Sequence, residues 1–382
     1  MPSVDAGLKS WLGRFDNLSQ ERPDPWLWMP AAALIVLGLL MVLNTTYFLG
    51  LERHGGPFYF FKRQLLNLAM GAGVMAALGE LSLRGLKRLA LPLMVVAVAL
   101  LLAVWIPGLG VVRGGARRWL HLGAFLVEPS ELLKLATVFF LAHYLAPRQA
   151  YLANSPRALI APFAIVGLLA LILLKQPDFG GAVMLVLLLF TMLFVAEARP
   201  RHLVIAGAGA LGVLALQAAH KAYRMRRLTA FVDPWRSARG AGFQLTQSLI
   251  AFGAGGSWGV GLGASRQKMF YLPQAHTDFV FAVVGEEFGC VGVFVVLALF
   301  LIIMVRGLRL ARLESDPFAS LLAVGLTSLI SLQAFVNMAV VTGLVPTKGL
   351  PLPFLSYGGT SMVVSMAALG ILLALGRRPG VE

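Results

Sequence analysis

Residues 272–289 read LPQAHTDFVFAVVGEEFG. The stretch opens as a polar loop carrying His276, Thr277 and Asp278. It then turns apolar and stays so to Val305, interrupted only by Glu286 and Glu287. A run of this length can cross a bilayer core of about 30 Å, which takes roughly 17–25 apolar residues. An ionisable residue at the lip of such a span costs free energy to keep there and by default marks a functional site. Asp278 is therefore the leading candidate for chemistry.

The rest of the chain has the same character. Of its 382 residues 58% are hydrophobic and 13% charged, too apolar for a soluble globule and typical of a multi-span membrane protein. A single cysteine, Cys290, excludes an internal disulfide and a thiolate metal cluster, and its apolar setting predicts a small buried packing residue. Residues 1–25 carry Lys9, Arg14 and Arg22 but no apolar core, so no cleaved signal peptide is expected and the first span is its own insertion signal.

Ten spans are expected, at 27–50, 64–80, 89–107, 130–146, 158–175, 181–197, 202–220, 279–305, 318–343 and 359–376. In lipid they must be helices, because each backbone polar group has to be satisfied within the protein. The fold class is thus an all-α polytopic membrane protein with a long extracytoplasmic loop between helices 7 and 8. A cytoplasmic tail (1–26) precedes a membrane domain (27–376), and a short cytoplasmic tail (377–382) follows. The weakest spans are 64–80, with Gln64, Asn67 and Glu80, and 130–146, with Glu131 and Lys134.

Placing the N-terminus in the cytoplasm puts Arg84, Lys87, Arg148, Arg199, Arg306 and Arg377 on that side, as the positive-inside rule expects. The basic residues left over on the far side are concentrated. Arg113, Arg117 and Arg118 precede the fourth span, while Lys221, Arg224, Arg226, Arg227, Arg236, Arg239, Arg266 and Lys268 lie in the loop 221–278. That loop also carries Phe231, Trp235, Phe243, Phe252, Trp258 and Tyr271, enough apolar surface to pack or to lie at the interface. Within it QLTQSLIAF (244–252) has the spacing of an interfacial or re-entrant helix, and a glycine-rich turn region follows. A positive patch where positives are disfavoured needs an anionic partner. Lipid phosphate or diphosphate fits, whereas nucleic acid does not.

Other polar residues divide between structural and functional readings. Glu131 and Lys134, three apart on one helix face, can neutralise each other in a site or form a purely structural ion pair. Asp178 in QPDFGG is expected to cap the next helix. One of Glu286 and Glu287 is expected to face a polar cavity, since exposing both to lipid is too costly. Lys348 lies in the Pro/Gly-broken loop VPTKGLPLPFLSYGG, whose irregular backbone needs burial or a cavity. His276 has no second histidine nearby and does not read as a metal ligand.

The blocks YRMRRLTAFVDPW, GFQLTQSLIAFGAGGSWGVGLGASRQKMFYLPQAHTDFVFAVVGEEFG and PTKGLPLPFLSYGGTS resemble the SEDS family, the shape, elongation, division and sporulation proteins of bacteria. GARRWLHLGAFLVEPSELLKLA and KQPDFGGA match it upstream, and the similarity runs from about residue 25 to the end. The GEE after HTDFVFAVV, with PTKGL and YRMRRLTAF, is closer to the division members than to the elongation members.

The resemblance implies a peptidoglycan glycosyltransferase of the bacterial cytoplasmic membrane. Such an enzyme polymerises lipid II, an undecaprenyl-diphosphate disaccharide-pentapeptide, into β-1,4 glycan at the septum, alongside a class B penicillin-binding protein and other divisome membrane proteins. Asp278 matches the family's essential aspartate and is the expected general base. Arg118, Lys348 and the Arg224, Arg226, Arg227 group are the expected diphosphate ligands, with Gln244 and His276 as further substrate-binding candidates. A divalent cation, magnesium or manganese, is left open, because no ligand set is legible. Two positions depart from the family pattern: Gln274, where many relatives carry Glu, and NTTYF (44–48), where relatives tend to show Ser and Ala. The rival readings are a lipid II flippase and a scaffold for the penicillin-binding protein.

Overall fold

Each expected span forms a helix in the computed structural model, which describes residues 24–113, 115–123, 125–152, 157–219, 229–269 and 271–377. In chain order the first three are α1 (Pro25–His54), α2 (Tyr59–Gly79) and α3 (Leu83–Ala103). Then come α4 (Pro129–Leu145), α5 (Arg157–Lys175), α6 (Phe179–Val195) and α7 (Pro200–Ala219). A shorter helix, α8 (Phe243–Gly255), follows in the long loop, and α9 (Val280–Leu313), α10 (Pro317–Val341) and α11 (Gly359–Gly376) complete the set. Six of these are long and apolar enough to meet a strict spanning criterion, and the chain is membrane-embedded.

The helix starts follow local chemistry. Asp24, Ser82, Asp178 and Asp316 each accept a first-turn N–H and so cap α1, α3, α6 and α10. The Ser82 cap explains why the third helix begins at Leu83, six residues before the apolar run at 89 suggested. At the other end of α1, Gly55 closes the helix in the left-handed conformation (φ 66°).

The interior is built on α10, α11 and the buried first two turns of α9 (residues 280–287), while the most apolar stretch of α9 is peripheral, 22% buried against 78% for α10 and α11. Val36 and Leu40 on α1, Val95 and Val96 on α3, and Phe294 and Val295 on α9 form the exposed apolar exterior that faces lipid. Cys290 is exposed as well, contrary to the expectation of burial. It follows a helix break that turns its side chain outward, which hydropathy alone does not reveal. At one end of the bundle Asp24 pairs with Arg306 at 2.6 Å and Lys87 with Asp316 at 2.7 Å, tying α1 to α9 and α3 to α10.

At the opposite end the architecture departs from all-α. A three-stranded antiparallel sheet, β1 (Gly110–Arg113), β2 (Ala116–Leu122) and β3 (Phe125–Val127), fills the connection between α3 and α4. Outside the apolar core a short polar connection can pair as strands, and the spans' periodicity carries no signal of it. The stretch 244–252, expected to form an interfacial or re-entrant helix, is helical, as α8. Its Ser248 Oγ donates to Val341 O at 2.6 Å, fastening it to the end of α10.

The long helix α9 is two helices joined at Gly289, whose φ of 63° breaks the α-helix. Glu286 and Glu287 therefore lie about two turns into α9, on the half-helix ahead of the break. Both carboxylates are buried and hydrogen-bonded. Glu286 accepts from Ser265 Oγ and from the N–H of Arg266 (3.0 Å), and Glu287 from Lys268 Nζ (3.2 Å) and Asn44 Nδ2 (2.5 Å). The carbonyls freed by the break, Glu286 O and Glu287 O, accept from Val260 N and Gly261 N, both at 3.0 Å. The loop is thus held by both the side chains and the backbone of the broken helix.

Gly259 sits at the closest approach of the two segments. Its φ is 81°, and a Cβ there would lie 2.1 Å from Glu287 O. Gly263 has a similar φ of 82° with nothing in the way. Gly263→Ala should cost only the backbone strain of about 1–3 kcal/mol. Gly259→Ala should cost distinctly more and lower the melting temperature of the purified protein further. Equal shifts for the two variants would show that the clash is relieved without cost.

Candidate active site

Asp278 is the second-last residue of the loop before α9. The turn that presents it is closed by Gln274, at a positive φ of 60°, whose carbonyl accepts from Thr277 N (3.1 Å) and Phe279 N (3.2 Å). Two bonds fasten this turn to the irregular segment 343–358, and a third, within the segment, holds Ser356 in place. Tyr357 N donates to His276 O (2.9 Å), Ser356 Oγ donates to Thr277 O (2.6 Å), and Leu352 N donates to Ser356 Oγ (2.7 Å). Asn337 of α10 completes the clamp, donating to Asp278 O at 2.8 Å and to Leu350 O at 2.6 Å.

The clamp brings Gly349, the residue after Lys348, against Asp278. Gly349 leaves the space that the aspartate occupies, since a Cβ on it would lie 2.9 Å from Asp278 Oδ2. Lys348 Nζ stands 4.5 Å from the centre of the Phe179 ring, and burial lowers its pKa to about 8. Next to Phe179, Asp178 accepts from Gly181 N at 3.0 Å, as the expected cap does. It has a second role that the sequence reading did not assign, an ion pair with Arg118 at 3.6 Å. Arg118, Asp178, Phe179, Lys348, Gly349 and Asp278 are thus linked in a chain of contacts and sequence neighbours at the sheet-bearing end of the bundle.

Beneath it lies a buried polar relay. Lys134 Nζ donates to Glu131 at 2.8 Å and to Gln333 Oε1 at 2.5 Å, and Gln333 Nε2 donates to Pro351 O at 3.0 Å. The pair is thus both a structural ion pair and a support for the loop that carries Lys348.

The remaining candidates are placed differently. His276 packs its ring 5.9 Å from both Phe60 and Tyr357, and burial, with Arg53 nearby, lowers its pKa to about 4, so it is neutral near pH 7. Gln244 sits half-buried in the first turn of α8. Lys268, counted by sequence in the positive patch, is committed to Glu287, Asn44 and Gly263 O, so its charge is already used inside the protein. Arg224, Arg226 and Arg227 lie outside the described residues. Among the described residues no three His, Cys, Asp or Glu side chains converge as metal ligands.

Asn337, Gln333 and Asn44 were missed by sequence reasoning. Gln333 and Asn337 are spaced i, i+4 on an apolar helix, and two amides on one face of a span are a signal that could have found them. Asn44 carried a weaker one: it sits in the segment that departs from the family pattern.

A family described as cell cycle protein, whose model covers FtsW, RodA and SpoVE, matches residues 25–379. A probable peptidoglycan glycosyltransferase FtsW of Geobacter sulfurreducens (strain DL-1 / KN400) is 42% identical over 358 residues, 94% of this chain and 96% of that protein. The stage V sporulation protein E of Bacillus subtilis (strain 168) is 40% identical over 355 residues, 93% of this chain and 97% of its own. Among solved structures, a chain of a peptidoglycan synthase complex that coordinates polymerization and crosslinking superposes with a TM-score of 0.74 at 32% identity, covering 93% of this chain and 98% of that one. The rod shape determining protein RodA of Thermus thermophilus superposes at 0.67 with 29% identity, over 95% and 98%.

Proposed function

The chain belongs to the cell cycle protein family that includes FtsW, RodA and SpoVE, and is a peptidoglycan glycosyltransferase; from that premise we propose that Asp278 is its general base. One observation carries the assignment: the clamp of Asn337 and Ser356 sets Asp278 against Gly349, the residue that follows Lys348 in the chain.

In the proposed step Asp278 takes the proton from the 4-hydroxyl of the acceptor lipid II. The hydroxyl oxygen bonds to the anomeric carbon of the growing strand as the bond from that carbon to undecaprenyl diphosphate breaks. A single displacement inverts the α-linked donor to a β-linked product. Lys348 and Arg118 stabilise the charge that collects on the leaving diphosphate. The described residues do not fit an all-protein magnesium or manganese site, and no step here depends on one. Positive-inside sidedness supports an extracytoplasmic site with both termini in the cytoplasm. The similarity to a chain of a peptidoglycan synthase complex supports a crosslinking partner, a class B penicillin-binding protein, and the resemblance to division members supports work at the septum.

The protein co-purified with its penicillin-binding partner should convert labelled lipid II to glycan strands. Transport of lipid II across vesicles with no polymer formed would overturn the reading in favour of a flippase.

A further inference from the structure

Gln64, one of the polar residues that weaken the second expected span, is fully buried on a helix with little buried surface. Only two of the 21 residues of α2, Gln64 and Gly71, are buried. With Phe60 and Asn67 they follow the i, i+4, i+7, i+11 spacing of one helix face. That face meets the catalytic turn and the start of α11. The Phe60 ring lies 5.9 Å from the His276 ring and 5.4 Å from the Tyr357 ring. One turn on, Gln64 Nε2 donates to Ser356 O at 3.3 Å. A Cβ on Gly359 would lie 3.1 Å from Asn67 Oδ1, and a Cβ on Gly71 would lie 2.6 Å from Met366 Sδ of α11. Ser356 in turn donates its Oγ to Thr277 O at 2.6 Å, one residue before Asp278. For packing alone an apolar side chain would serve better at position 64. Gln64 is 0% exposed and its Oε1 has no partner among the described residues, so half of the amide is desolvated without compensation. The half that is bonded reaches the segment that clamps the general base.

We propose that Gln64 is a positioning residue for glycan polymerisation: by holding Ser356 O it fixes where the turn 274–279 sits, and with it the reach of Asp278 to the acceptor hydroxyl. Gln64 acts through the loop and not on the substrate. A general base works only within hydrogen-bond reach of the proton it takes, so a support two links away governs the rate of chemistry and leaves substrate binding alone. Phe60, one turn earlier, keeps the same helix face in register against His276 and Tyr357. The inference rests on the reading of Asp278 as the general base.

The experiment compares wild type, Gln64→Met, Ser356→Ala and the double variant, each with its penicillin-binding partner. Methionine keeps the length of the side chain and lacks both amide groups, so the melting temperature should not fall. With labelled lipid II, Gln64→Met should lose about tenfold in kcat with KM within about twofold, because a displaced base slows chemistry without weakening binding. Wild-type kcat, a rise in KM with kcat kept, or a melting temperature that falls in step with kcat would each overturn the proposal. Since Gln64 acts through Ser356, the losses of the two single variants should combine less than multiplicatively in the double variant, and a fully multiplicative loss would overturn that route. A second readout needs no turnover. Amide hydrogen exchange in the peptide 272–280, where Thr277 N and Phe279 N bond Gln274 O, should be about tenfold faster in Gln64→Met, and unchanged exchange would overturn the proposal by itself. A wild type that makes no polymer, with faster exchange in Gln64→Met, would count against the polymerase reading while leaving the hold of Gln64 on the turn in place.

Discussion

Asp278→Asn is expected to abolish polymerisation while the chain still folds and holds its partner. The bonds that place residue 278 include one through its backbone carbonyl, to Asn337, and two through its neighbours, Thr277 to Ser356 and His276 to Tyr357. All of these survive the substitution, and asparagine nearly matches aspartate in shape. What is lost is the capacity to accept a proton from the acceptor hydroxyl. A positioned general base contributes roughly 10²–10⁴-fold, so strand formation from labelled lipid II should fall by at least about 10². Retention of the partner in a pull-down and an unchanged melting temperature would assign the loss to chemistry. Equal polymer from both proteins would remove Asp278 from the role and direct the search to another base.

The second large effect is structural. The Lys134 and Glu131 side chains are 1% and 5% exposed, so Lys134→Met leaves a carboxylate buried without its partner. Breaking one side of a buried pair costs about 3–5 kcal/mol, while replacing both sides together is far milder. Lys134→Met should thus lower the melting temperature markedly, and the double variant Glu131→Gln/Lys134→Met should recover much of it. A double variant as unstable as the single would show that the unpaired charge is not the cause. Gln333 also loses the donor to its Oε1, and its hold on Pro351 O weakens. Polymerisation should therefore fall in the single variant beyond what its stability accounts for, because that bond supports the loop bearing Lys348.

Much of the site was legible in the sequence, residue by residue. Asp278, Arg118 and Lys348 were singled out as charges that an apolar chain would not keep without use, and the structure joins Arg118 to Asp178, Lys348 to the Phe179 ring, and Gly349 to Asp278. The i, i+3 spacing of Glu131 and Lys134 foretold their pairing, because on a helix such spacing means contact. Lys268 shows the opposite case. By sequence it belonged to an anion-binding patch, yet the break at Gly289 turns Glu287 toward it and neutralises it within the protein. Asp178 read as a cap and is one, but its pairing with Arg118, about sixty residues earlier in the chain, has no local signature.

By itself the sequence determined the class and the course of the chain. Ten apolar runs can be satisfied in lipid only as helices, so their number and order follow from hydropathy, and each observed helix overlaps its expected span. The tertiary structure alone decided what the polar residues do. A buried charge acquires its role from whatever faces it, and those partners come from helices and loops distant in sequence. Asn337 joins two loops, Gly349 makes room for a carboxylate, and the helix break at Gly289 anchors the glycine-rich loop. Hydropathy measures how strongly a segment avoids water, whereas these contacts depend on direction and distance, which are set only when the helices pack.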